Sequence, residues 1–231
     1  MTGLLSQTRR RGVEILDDPD VDPAVMQRAM RDVERANIVF GGRRAAIAEL
    51  TPALSNTRGN ALLLDVGTGR GDIPAEAKRV AQSNGLKLRT IGLDLSAPLV
   101  SSQCHGTDWV IRGNALSLPL RDSSVDIVLA SQILHHFPED DAVAFVRELN
   151  RVARGRVVIS DLRRSLIAAA GFWLGSFPLR FHPVTRHDGV VSVMRGFIPS
   201  ELASIVERAT GQRPIVTRRL GFRLTTSWTP Q

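Results

Sequence analysis

The chain alternates short, nearly all-apolar runs with stretches whose apolar residues recur at helical spacing, and this pattern predicts most of its elements. Ala61–Val66, Leu86–Asp94, Trp109–Gly113, Val125–Ala130 and Arg156–Asp161 read as strands. Residues 74–82 and 140–152 read as helices, the second with Ala142, Phe145, Val146 and Leu149 on one face. Apolar strands that trade places with helices predict an α/β protein whose parallel sheet is covered on both faces. Ahead of this core, Asp22-Pro23 is a helix start, because Asp caps free amides and Pro suits the first turn. Val25, Met26, Met30, Val33 and Ile38 follow near helical spacing, Gly41-Gly42 interrupts them, and a second helix is expected from Arg43 to about Leu50. Residues 162–197 break the rhythm with an apolar helix-like run and then a loop holding Pro183, Gly189 and several Arg and His. Beyond it, a helix capped by Ser200 is expected over 201–209, followed by strand-like segments at about 214–218 and 222–228.

Length and composition sharpen this only a little. The 231 residues suffice for one full core with small appended segments, and no repeat or low-complexity tract interrupts them. A single cysteine, Cys104, excludes an internal disulfide and fits a reducing compartment. It reads as a small buried side chain, and His105 and His182 read as structural. Met1–Ser6 has no signal-peptide layout, and the apolar run from Leu166 to Leu179 is too short for a bilayer, so a cytoplasmic protein without a membrane span is expected. The net charge of +7 is concentrated late: residues 150–231 carry thirteen Arg against four acids. Such a surface attracts nucleic acid, anionic lipid or an acidic small molecule, or is simply solvated. No nucleic-acid motif accompanies it, and no nucleic-acid partner is expected.

The chemistry centres on Asp65-Val66-Gly67-Thr68-Gly69-Arg70-Gly71-Asp72, a strand running into a glycine-rich turn and a helix. Such a turn brings backbone close to a ligand and points free amides at it. A dinucleotide turn prefers G-x-G-x-x-G, and Asp72 at its third small position would crowd and repel a pyrophosphate. Acids at 65 and 72 suit a cationic ligand instead. Asp94, at the tip of the next strand, is positioned to accept both hydroxyls of a ribose; its alternative use, capping a helix over 97–102, is better served by Ser96. Gly113-Asn114-Ala115 follows the third strand with a side-chain carbonyl for an adenine amino group, and Leu134-His135-His136 follows the fourth.

These four ordered motifs, together with Ala115–Asp126, resemble the class I S-adenosylmethionine-dependent methyltransferases over about residues 61–160. The resemblance implies a Rossmann-like, mostly parallel seven-stranded sheet with its last strand antiparallel, and S-adenosylmethionine as cofactor, released as S-adenosylhomocysteine. It assigns Asp65, Gly67 and Gly69 to the methionine end, Asp94 to the ribose, and Leu95, Asn114 and Ala115 to the adenine, with Thr68 and Ser131 as further cofactor contacts. Many relatives have Asp where this chain has Asn114, which still accepts from an amino group. The core is similar to ubiquinone and menaquinone methyltransferases, and the flanks to bacterial relatives tailoring polyketides or phenols. The expected organisation is a helical cap over 1–58 and a methyltransferase domain over 59–231, with an acceptor lid at about 162–197. The expected reaction is O- or C-methylation of a small aromatic, phenolic or polyketide/quinone-like acceptor.

Methyl transfer needs an aligned nucleophile and, for a phenol or enol, a base; histidine suits neutral pH. His135 and His136 are the candidates, with holding the loop as their alternative use. Phe40, Trp173, Arg186 and His187 are the candidate acceptor contacts, the arginine for an anionic group. The apolar 162–197 segment serves equally as core packing or a homodimer contact. No metal site is expected. Three rival functions remain: an RNA or other nucleic-acid methyltransferase, against which the Asn-Pro-Pro-Tyr type tetrad is missing after the fourth strand; a dinucleotide oxidoreductase, against which Asp72 speaks; and a non-catalytic binding module.

Overall fold

The computed structural model describes residue 9 and residues 12–18, 20–96 and 106–231. Cys104, His105 and the segment 97–102 lie outside them. Two helices, α1 (Pro23–Val39) and α2 (Gly42–Asn56), precede β1 (Asn60–Val66). Then follow α3 (Asp72–Ser83), β2 (Lys87–Asp94), β3 (Trp109–Arg112), β4 (Val125–Ser131), α4 (Glu139–Val152) and β5 (Ala153–Leu162). The remainder is α5 (Leu166–Ser176), α6 (Pro183–Arg195), α7 (Pro199–Thr210), β6 (Thr217–Arg219) and β7 (Arg223–Trp228).

Among the described residues the strands form one sheet ordered β3-β2-β1-β4-β5-β7-β6. Strands β1 to β5 run parallel, and β7 inserts antiparallel between β5 and β6. Period-two alternation divides each central strand between two cores. On one face Leu64, Val128, Val157 and Ile159 pack with Phe145 and Leu149 of α4 and Ile205 of α7. On the other, Leu63, Ile127, Leu129 and Val158 pack with Leu50 and Leu54 of α2 and Ala77 of α3. This two-sided burial is why the strands are almost wholly apolar. Asp22 caps α1 by accepting from the Ala24 and Val25 amides at 2.7 and 3.3 Å.

Two expectations are corrected. The stretch read as a loop over 180–197 contains α6, with Pro183 in its first turn and His182 accepting from Val184 at its start. Ser200 does not cap α7: Pro199 takes the first helical position, and the Glu201 carboxylate accepts the Ile198 amide at 3.0 Å. Proline's fixed φ favours that first position, which moves the cap back to the residue before it.

The carboxyl ends of β1, β2, β4 and β5 and the start of β7 open on one cleft of about 1640 Å³. Helix α1, residues 14–18 and the α5–α6 pair complete its walls.

Candidate active site

At one end of the cleft the chain leaves β1 through glycines that all take left-handed backbone, with φ of +73, +53 and +77° at 67, 69 and 71. Gly67 has a second constraint, since a Cβ there would come within 2.7 Å of Ile133 Cδ1. The Gly67 and Thr68 amides donate to the Leu93 carbonyl at 2.8 and 3.1 Å, tying the turn to β2. Asp94, at the tip of β2, accepts from the Gly69 and Ser96 amides at 3.1 and 3.0 Å. Each of its oxygens keeps a lone pair for a ligand hydroxyl.

The same end is rich in buried, underused acid. Asp65 is 2% exposed and its Oδ1 has no partner among the described residues. Burial, reinforced by the charges of Asp72 and Asp94 and only partly offset by a hydrogen bond from Thr68, pushes its pKa up to about 8. Asp72 Oδ2 is likewise unpartnered, and burial beside Glu34 pushes its pKa up to about 6. Orphaned carboxylate atoms around a concave turn fit a ligand that brings positive charge. Asn37 of α1 closes over this region: it hydrogen-bonds Asp72 and accepts from Gln132 Nε2. Leu95, Asn114, Ala115 and Ser131 also line the cleft, with Ser131 Oγ unpartnered among the described residues. The Asn114 carbonyl accepts from the Leu116 amide at 2.9 Å, so one lone pair stabilises its own turn and the other remains free.

At the middle of the cleft, His135 sits in a single 3₁₀ turn, Leu134–His136, after β4. Its Nδ1 lies 2.7 Å from Oδ1 of Asp161 on β5, and its backbone amide donates to Asp161 Oδ2 at 3.2 Å. Burial alone would raise the Asp161 pKa, but the facing His135 and the Leu162 amide outweigh it and hold it below the ordinary carboxylate value. An ionised Asp161 fixes the proton on Nδ1 and leaves Nε2 as the acceptor. That Nε2 is buried with no hydrogen-bond partner among the described residues.

His136 is engaged differently. Its Nδ1 meets Asp17 Oδ1 at 3.1 Å. Burial alone would lower its pKa, but the Asp17 hydrogen bond and the charges of Glu14 and Asp17 raise it. Glu14, His135 and His136 bring ligand-type atoms within 4.8 Å of one another. Arg195 already stands among them, 2.9 Å from Glu14 Oε1 and 3.5 Å from His136 Nδ1, supplying the cation that such a cluster attracts.

The outer wall is aromatic. Phe40 stacks obliquely on Phe172 of α5, their ring centroids 5.2 Å apart, and both line the cleft. Of the expected acceptor contacts only Phe40 is there. Arg186 donates to the Phe181 carbonyl and lies over Phe177, and Trp173 stacks edge-on with Phe177, half exposed. His187 is bonded to Asp188 Oδ1 at 2.8 Å, on the outside. The phase of α6 explains this: Thr185, Asp188, Gly189, Ser192 and Val193 share the cleft face, so 186 and 187 point away. The motif reading also missed Asp161, Glu14, Asp188 and Arg223. Asp161 had a signal, a lone acid ending an apolar strand, as Asp94 does; the others sit in segments with no periodic cue.

A methyltransferase-domain family model matches residues 64–159. A structure of an S-adenosylmethionine-dependent methyltransferase from Aquifex aeolicus superimposes with a TM-score of 0.58, covering 90% of this chain and 98% of that one at 17% identity. Residues 64–159 thus match a methyltransferase domain, and the sheet that carries them has the fold of S-adenosylmethionine-dependent methyltransferases. The methyltransferase fold is shared as well with human N-acetylserotonin methyltransferase in complex with its cofactor, at a TM-score of 0.60 and 12% identity over 88% of this chain and 55% of that one. In sequence, the chain is 30% identical over 126 residues to a demethylmenaquinone methyltransferase of Lactiplantibacillus plantarum. The match covers 51% of each, so the chain spans about half the length of the curated relative it matches. Among the described residues no helix is long and apolar enough to cross a membrane.

Proposed function

We propose that the protein transfers the methyl group of S-adenosylmethionine to a small phenolic, enolic or quinol-like acceptor, by O- or C-methylation. One observation carries this reading: the His135–Asp161 pair, whose buried Nε2 has no hydrogen-bond partner among the described residues and stands 4.0 Å from Glu14, at a cleft shared with the glycine turn and the Phe40–Phe172 wall. The likeness to a demethylmenaquinone methyltransferase supports the acceptor class.

In this reading Asp65 and Asp72 receive the positive end of the cofactor, Thr68, Gly69 and Ser131 line its methionine part, Asp94 holds the ribose, and Leu95, Asn114 and Ala115 border the adenine. The bound cofactor supplies an activated methyl on a cationic sulfur. His135 Nε2 takes the proton of the acceptor hydroxyl as that oxygen, or the conjugated carbon, accepts the methyl. Asp161 stabilises the imidazolium so formed, and the proton then passes to solvent. Proton transfer by a positioned histidine contributes about 10²–10⁴ in rate. Residues 1–58 act as a cap over the cofactor and 162–197 as the acceptor lid.

The test is a panel of phenols, quinols and polyketide-like acids, read by S-adenosylhomocysteine release from the purified protein. Turnover of at least one acceptor, lost in His135→Gln, is the expected result. Good cofactor binding with no turnover on any of them would reduce the protein to a binding module.

A further inference from the structure

Arg223 opens β7, opposite Leu162 of β5, and lines the cleft while only 6% exposed. Its Nη1 donates to the Gly221 carbonyl at 2.9 Å, but its Nε has no partner among the described residues. No carboxylate among the described residues lies within ion-pair distance of it. Asp161 acts on it only from farther off, and that carboxylate is already bound to His135. The contrast with Arg164 is sharp: that arginine is equally buried but is matched by Glu201 at 2.7 Å.

A second positive element meets Arg223. Helix α2 begins at Gly42 without a side-chain cap, so its first amides carry the positive end of the helix dipole. A Cβ on Gly42 would lie 3.4 Å from Arg223 Nε and 3.0 Å from Gln132 Nε2. A buried guanidinium beside an uncapped helix start is costly unless an anion joins them. At the rim, Arg218 and Arg44 face the same cleft without ion pairs among the described residues.

The sheet spaces these charges. Asp65 stands on β1 and Arg223 on β7, three strand steps apart across the sheet, or about 14 Å at about 4.8 Å per step, and the register, which brings Asp65 level with Ser227, sets Arg223 four residues farther toward the cleft. His135 and Asp161 lie between them, at the ends of β4 and β5. The acidic end serves a cationic cofactor, which leaves the basic end to the other reactant.

We propose that Arg223, with the start of α2, forms an oxyanion subsite that holds a carboxylate of the acceptor, so that the preferred substrates are aromatic hydroxyacids. This rests on the methyl-transfer reading above. Arg223 pairs with Leu162, the residue after Asp161, so the two stand one strand step and one residue apart at the cleft end of the sheet, with side chains leaving opposite faces.

The experiment measures binding of 2,4-dihydroxybenzoate and of resorcinol to the full chain saturated with S-adenosylhomocysteine, by calorimetry. The native protein is expected to prefer the carboxylated probe at least tenfold. Arg223→Met is expected to abolish the preference and Arg223→Lys to keep part of it, both leaving S-adenosylhomocysteine affinity within about twofold. Should Arg223→Met not fold, Arg218→Ala, on an exposed residue, is expected to cut the preference severalfold and to make it less salt-sensitive. Equal binding of the two probes, or binding of neither, overturns the subsite. So does a large loss of S-adenosylhomocysteine affinity in Arg223→Met, which would assign the anion to the cofactor's own carboxylate. Failure of the native chain to bind S-adenosylhomocysteine at all would instead sink the methyl-transfer reading.

Discussion

His135 Nδ1, in the turn after β4, and Asp161 Oδ1, on β5, are 2.7 Å apart with the carboxylate fully buried. The pair fixes the imidazole tautomer and its direction. Asp161→Asn presents an amide where a carboxylate held the proton, which favours the wrong tautomer. A fall in kcat of about 10²–10⁴ is expected, with S-adenosylhomocysteine affinity within twofold. Steady-state kinetics beside calorimetry checks it; an unchanged kcat would remove His135 from the chemistry.

Asp65 links cofactor binding to pH. Its folded pKa, about 8, lies above the unfolded value, so the folded state binds the extra proton between those limits and stability falls as pH rises through them. Asp65→Asn removes that penalty. The free protein at pH 8 is expected to gain on the order of a few kcal/mol, read as a higher Tm. The same variant loses the anion that meets the cofactor, weakening S-adenosylmethionine binding about 10- to 100-fold. In the native protein that affinity is expected to rise between pH 6 and 8 as Asp72 and Asp65 ionise, and a flat profile by calorimetry would contradict the assignment.

Asp94 ties the glycine turn to the tip of β2 through the Gly69 amide. Replacing it with Ala removes both the ribose acceptor and this tie. A loss of about 10- to 100-fold in S-adenosylhomocysteine affinity is expected, at about 1.5–3 kcal/mol for a charged hydrogen bond. Unchanged affinity would mean that the ribose lies elsewhere.

Gly189 lets α6 approach α5. A Cβ there would meet the Phe172 ring at 2.0 Å, whereas one on Gly171 meets nothing within 4 Å. Gly189→Ala is expected to cost about 1–3 kcal/mol and to raise acceptor KM by displacing Phe172. Gly171→Ala, in a helix interior, is expected to be neutral or to stabilise by up to about 1 kcal/mol. Thermal melts of the two variants side by side decide it.

The central sheet was legible because its strands are buried on both faces and end in chemically distinct residues. Asp65, Asp94 and the glycines announce themselves as polar or small positions closing apolar runs. The acceptor side was not legible, for a physical reason. Helix α5 is apolar nearly all round and α6 mixes polar and apolar residues on every face, so neither shows which side is inward. Pro183 and Gly189 then resemble loop residues, although one starts a helix and the other lets it pack. Once the phase of α6 is known, Arg186 and His187 turn outward. The cationic role expected of Arg186 passes to Arg223, which belongs to a strand some forty positions later and reaches the cleft only because β7 inserts beside β5.

That insertion gives the sheet the character of a ruler. Strand separation is nearly invariant, while side chains at strand ends vary freely. A receiving acid on β1, a base in the turn after β4 and an anchoring cation on β7 convert the chemical question of which molecule fits into one of span. Lengthening the acceptor would require moving the anchor to another strand, whereas changing its oxidation or decoration would require only new side chains in place. Divergence among proteins sharing this sheet would then run faster in what they accept than in how far apart they hold its two ends.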